Sequence, residues 1–138
     1  FIFFSERVLG LLELKWAKVI YPKDKLLCET DVLARLETRD GKCVNILASV
    51  GGAQPDRQEM TVRGTGKSRR ISEFYKDSES NGLEFIPLRE EPKDPRAVSL
   101  KAQLDDLEKV YNGHPNKLAT VDEALRVQVL IESILSSN

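Results

Sequence analysis

The feature that most restricts what this chain can fold into is a pair of apolar-alternating runs, residues 32–38 and 42–50, joined by Arg39, Asp40 and Gly41. Asp-Gly between two such runs signals a hairpin. The turn that matches the twist of its strands needs positive φ, which glycine adopts without a side-chain clash. Residues 57–63 form a third run after the turn-rich Gly51-Gly52-Ala53-Gln54-Pro55-Asp56, and residues 69–74 a fourth after Gly64-Thr65-Gly66-Lys67-Ser68. Four strands linked by short glycine-bearing turns predict an antiparallel meander at the centre of the fold.

The flanking segments add to that sheet and cover it. Residues 1–9 read as the last turns of a helix, with Gly10 at the capping position. Leu12, Leu14 and Trp16 alternate with Glu13, Lys15 and Ala17, which predicts a first strand running to about Tyr21 and broken by residues 22–25. Residues 26–30 fit a short continuation or a loop. The polar residues 75–82 read as an exposed loop, and residues 83–86 as one more short strand closed by Pro87.

Asp94-Pro95 opens a helix, since Asp accepts orphan amide bonds and Pro at the first position forfeits no donor that was needed. Its stripe of Ala97, Leu100, Leu104, Leu107 and Tyr111 is expected to face the sheet, and Asn112-Gly113 ends it. Thr120 and Glu123 form a capping box for a last helix expected to bury Ala124, Val127, Leu130, Ile131 and Ile134. Its four large aliphatics would contribute roughly 6 to 12 kcal/mol before chain entropy. The expected class is α+β: an open antiparallel sheet of about five to six strands with two main helices packed on one face.

With 138 residues, a single domain spanning 1–138 is expected. The 21 basic and 22 acidic side chains leave a net charge of −1, which gives no electrostatic reason to favour nucleic acid or an anionic membrane. No run approaches the roughly 20 apolar residues of a membrane helix. Cys28 and Cys43, without a signal-peptide pattern, suggest a reducing, cytoplasmic setting and read as small buried apolar residues. The chain starts without methionine in the apolar Phe1-Ile2-Phe3-Phe4, as the surviving end of a longer element would.

Candidate chemistry is sparse. Gly64-Thr65-Gly66-Lys67-Ser68 resembles part of a phosphate loop, but the first glycine of that pattern would fall at Thr61, and the next residues alternate like a strand instead of opening a helix. His114 is the only histidine and sits in a Pro-bearing loop, so no metal site of several imidazoles can form. Cys28 and Cys43 lack metal or redox spacing. The acidic pairs Glu90-Glu91 and Asp105-Asp106 read as solvated surface. Arg69-Arg70 with Lys67 is a local basic spot without an aromatic platform, which gives single-stranded nucleic-acid binding around Lys67, Arg69 and Arg70 only weak support as a minor third reading. No catalytic, cofactor-binding or metal residue is assigned.

The run from 42 to 50 has two unlike rows. Val44, Ile46, Ala48 and Val50 are apolar and suit a seat for helices. Cys43, Asn45, Leu47 and Ser49 form the opposite, mixed row, a candidate contact face for a second domain or subunit.

Three segments carry a resemblance. Residues 34–42 (Ala-Arg-Leu-Glu-Thr-Arg-Asp-Gly-Lys), 59–68 (Glu-Met-Thr-Val-Arg-Gly-Thr-Gly-Lys-Ser) and 117–127 (Lys-Leu-Ala-Thr-Val-Asp-Glu-Ala-Leu-Arg-Val) resemble, in that order, the C-terminal domain of the Gfo/Idh/MocA family of NAD(P)-dependent oxidoreductases. That is the glucose-fructose oxidoreductase, inositol dehydrogenase and rhizopine catabolism group. The likeness spans about residues 9–135, and the third segment resembles the start of the family's closing helix.

The resemblance implies an open sheet that helps enclose a sugar or polyol-like substrate beside an N-terminal Rossmann domain and that serves in oligomerisation. The chain has no GxGxxG after a first strand, no acidic ribose partner and no Glu-Lys-Pro segment, so no family catalytic or cofactor residue carries over to any position here. The resemblance implies that the family's Asp and His, on the helix that begins its second domain, would lie upstream of Phe1, and His114, placed before the last helix, does not stand in for that histidine. NAD(P) is thus expected only for an intact parent, with this chain incompetent alone. The alternative from another class is a stand-alone protein interaction module using the same sheet face.

Overall fold

A computed structural model of the chain describes residues 1–24 and 26–137. The elements run α1 (Ile2–Leu9), β1 (Leu12–Ile20), β2 (Asp31–Thr38), β3 (Cys43–Ser49), β4 (Glu59–Arg63), β5 (Ser68–Ser72), β6 (Lys76–Ser80), β7 (Ile86–Pro87), α2 (Pro95–Tyr111) and α3 (Val121–Leu135). The class is α+β with antiparallel pairing throughout. The strands divide into two sheets, β1-β2-β3 and β4-β5-β6-β7, where one broader sheet was expected. The break falls in the loop carrying Gly51, Gly52 and Pro55, which ends the ladder after β3. Two compact units result: Phe1–Gln54 with the segment from Ala119 onward, and Pro55–Leu118.

In the first unit the alternation of β2 sets the core. Val32, Ala34, Leu36 and Thr38 are all buried, and Leu36 is 0 % exposed. Leu12 and Val19 of β1 and Leu130 and Ile134 of α3 complete a cluster against which Ile2, Val44 and Ile46 pack. The Tyr21 hydroxyl donates to the Leu135 carbonyl at 2.9 Å, tying the end of β1 to the last turn of α3.

The Asp-Gly turn forms as the sequence predicts. Gly41 sits at φ 83°, its N–H donates to the Thr38 carbonyl (3.0 Å), and the Thr38 N–H donates to the Lys42 carbonyl (2.9 Å). This is the three-residue hairpin loop whose last position takes the left-handed conformation. Two other readings need correction. Cys28 and Cys43 are free and exposed, not buried. Within α3 only Leu130 and Ile134 are fully buried, while Ala124 is exposed, so the helix contributes less than its apolar content suggests.

The second unit holds its sheet together differently. All the buried apolar residues described belong to the first unit, and the only buried residue in β4–β7 is Ser80. Residues 76–80, expected as loop, form a strand paired on both sides. Alternation is absent there because neither face is deeply buried. Pairing comes instead from the backbone ladder and from ion pairs across the strands: Arg69 with Asp77 (3.6 Å) and Glu79 (3.1 Å), and Lys67 with Glu79 (2.6 Å). The turn before β6 uses Glu73 and Phe74 at φ 50° and 64°, a left-handed pair without glycine, so it leaves no sequence signal.

The helix α2 is capped as predicted. Asp94 accepts from the Arg96 and Ala97 N–H groups, each at 3.0 Å. At the other end, Gly113 (φ 69°) donates to the Val110 carbonyl and His114 to the Lys109 carbonyl, the paired bonds of a Schellman motif. The expectation that its apolar stripe is seated on the sheet is not met: no residue of α2 is buried.

Candidate interaction surface

Register decides which side chains share a face, because directly opposed residues in an antiparallel pair point the same way. With Val32, Ala34 and Leu36 facing the core, Asp31, Leu33, Arg35 and Glu37 face outward. Their β3 partners are Ser49, Leu47, Asn45 and Cys43. All four residues of this candidate row are exposed, Leu47 most of all at 83 %. Val44 and Ile46 of the other row are half-buried against the core, whereas Ala48 and Val50 lie in the open.

The β1 side of this face carries a residue that strict alternation misplaces. Leu14 pairs with Leu36, but the next pair is Trp16 with Arg35, so Lys15 and Trp16 together oppose one residue of β2. Such a bulge shifts the phase of the strand by one. Leu12, Leu14, Ala17 and Val19 therefore face the core, and Trp16, two residues from Leu14, turns outward at 50 % exposure. The small Ala17 and the apolar Val19 are the sequence trace of that shift, since Trp16, Lys18 and Ile20 would otherwise share the core face. Ile20, opposite Asp31, is also half-exposed.

The outer face thus joins Trp16, Ile20, Leu33 and Leu47 to a polar frame. Arg35 holds the centre, donating from Nη1 to Asn45 Oδ1 at 2.8 Å and from Nε to Glu37 Oε1 at 3.4 Å. The Cys43 thiol lies 3.8 Å from Glu37 Oε1 and 3.4 Å from the Gly41 carbonyl. No histidine is near Cys43 in sequence or along the ladder.

The remaining candidates are held in structural roles. Gly64-Thr65-Gly66-Lys67-Ser68 is the turn between β4 and β5, closed by Gly64 N–H to the Lys67 carbonyl at 3.1 Å. A Cβ at Gly64 would lie 2.5 Å from that carbonyl oxygen, so the glycine serves the turn. Arg70 packs over the Phe85 ring at 3.7 Å and pairs with Glu59 at 3.4 Å, so with Arg69 and Lys67 also paired the basic spot is matched by carboxylates.

His114 contributes its backbone N–H to the end of α2. Asp106 is held below the usual carboxylate range by Lys109, 2.6 Å away, and accepts the Lys117 N–H. Asp105 pairs with Lys101, and Glu91 with Lys76. An open cleft of about 240 Å³ beside β6 is lined by Arg70, Tyr75, Lys76, Phe85, Arg89 and Glu91, cations and carboxylates in mixture. Among the described residues no group of three His, Cys, Asp or Glu side chains could hold a metal ion, and no helix is long and apolar enough to cross a membrane.

No protein-family model, curated protein or solved structure matches this chain. The family resemblance rests on the three quoted segments, and the surface rests on its own geometry.

Proposed function

We propose that this chain is the C-terminal, substrate-enclosing and oligomerisation domain of an NAD(P)-dependent oxidoreductase acting on a sugar or polyol-like substrate, and that it is not catalytically competent alone. The observation that supports the docking part of this reading is the one-sided sheet. Residues of α3 fill the core on one face of β1-β2-β3, while the other face presents Trp16, Leu33 and Leu47 around the Arg35 hub. Such a face gains by being covered, in proportion to the apolar area removed from water.

The resemblance supplies the other half of the reading. NAD(P) and the groups that move hydride and proton belong to a Rossmann domain, and this chain contributes a wall and a docking surface. Strands of 9, 8 and 7 residues give a small face, roughly 10 by 25 Å at about 4.8 Å between strands and 3.3 Å per residue. Pairing of two such faces is accordingly concentration-dependent.

Titration of the chain with NADH and with NADPH tests the division of labour: no saturable binding is expected, and micromolar affinity for either overturns it. The second reading, a stand-alone interaction module, uses the same exposed face without any cofactor partner. The coding sequence upstream of Phe1 separates the two. A GxGxxG between strand and helix supports the oxidoreductase, and its absence favours the module.

A further inference from the structure

We infer that α2 is a second self-association surface, pairing antiparallel with the α2 of another copy of this chain. Ala97, Leu100, Leu104, Leu107 and Tyr111 succeed one another at alternating spacings of three and four, the seam of a two-stranded coiled coil. The helix is fixed at both ends by its caps, yet Leu100, Leu104 and Leu107 remain 54–56 % exposed and Tyr111 is 90 % exposed. A stripe so arranged gains from a matching stripe, and an identical helix supplies one.

Charge selects the identical helix and its direction. Lys101 and Glu108 flank the seam on the same side, seven residues apart. With Leu104 opposite the partner's Leu107, an antiparallel pair sets Lys101 beside the partner's Glu108, and the two-fold repeats the contact. Sliding the seam so that Leu100 meets the partner's Leu104 brings Lys101 to Lys101. A parallel pair brings Arg96 to the partner's Lys101, so both alternatives set like charges together. The present partner of Lys101 is Asp105 at 2.7 Å, an exposed pair that holds it weakly.

This surface belongs to the second unit and the outer sheet face to the first, and its test is made in the full chain carrying Leu47→Asp, which removes association through the sheet. Sedimentation equilibrium is expected to show a remaining monomer–dimer equilibrium. Lys101→Glu or Glu108→Lys alone should weaken it about tenfold or more, and the double exchange should restore it to within about threefold. No α2 residue is buried, so folding survives these exchanges, as circular dichroism will register. A chain that stays monomeric at roughly 100 µM, single exchanges without effect, or a double exchange no tighter than the singles overturns the inference. The sheet-face reading is judged separately, from the parent chain against Leu47→Asp.

Discussion

Two leucines on neighbouring strands test the assignment of faces. Leu36 is fully buried at the centre of β2 between Leu14 and Val44, whereas Leu47 on β3 is 83 % exposed. Leu36→Ala removes three carbons, about 2.4 kcal/mol at 0.8 kcal/mol each, and leaves a cavity that sheet neighbours cannot fully close, for a total of about 3 to 4 kcal/mol. With a urea m-value of about 1 to 1.5 kcal/mol/M, the midpoint should fall by roughly 2 to 4 M with m unchanged. Leu47→Ala, measured where the chain is monomeric, should change stability by less than about 0.5 kcal/mol. Equal costs at the two sites, or a cost below about 1 kcal/mol at Leu36, would refute the register and the placement of the core.

Three further outcomes follow from local geometry. Thr120→Ala removes the hydroxyl that accepts the Glu123 N–H at 3.2 Å and should destabilise the first unit by about 1 kcal/mol in urea unfolding. Glu123 is pulled down to about 2, first by its two hydrogen bonds from Arg7 and then by the Thr120 N–H. A carboxylate depressed on folding contributes stability above its unfolded value near 4.5 and loses it as pH falls toward 2. Arg7→Met should therefore raise the Glu123 titration midpoint in carboxyl NMR and soften the decline in stability over that window; an unmoved midpoint refutes the pairing. Trp16, the only tryptophan, should emit as a solvent-exposed indole in dilute solution and shift to shorter wavelength on self-association. Blue emission in the monomer would place it inward and remove the bulge.

What the sequence made legible was the part with a local physical signature. The Asp-Gly turn, the Asp94-Pro95 start of α2, its Gly113 end and the Thr120–Glu123 box each satisfy backbone groups by chemistry confined to a few residues. The two rows of the 42–50 run were legible in part, since Val44 and Ile46 pack against the core while Ala48 and Val50 are exposed. Tertiary pairing was less legible.

The bulge at Lys15 inverts the phase of β1 in the middle of a run that alternates well on paper, and it sends Trp16 to the outer face. β6 is a strand without apolar alternation because its stability lies in ladder bonds and ion pairs. The stripe of α2 is legible as a stripe, but periodicity names a face and not what covers it. The exposure of Cys28 and Cys43 shows the same limit, since residue type alone does not fix depth.

The proposed role of this chain stands or falls with contact through the outer face of β1-β2-β3. Sedimentation equilibrium of the parent chain beside Leu47→Asp measures that directly. The expected result is concentration-dependent association in the parent that Leu47→Asp weakens at least tenfold while the circular dichroism spectrum is unchanged. Equal association by the two chains, or a parent that shows no association through this face, would contradict it.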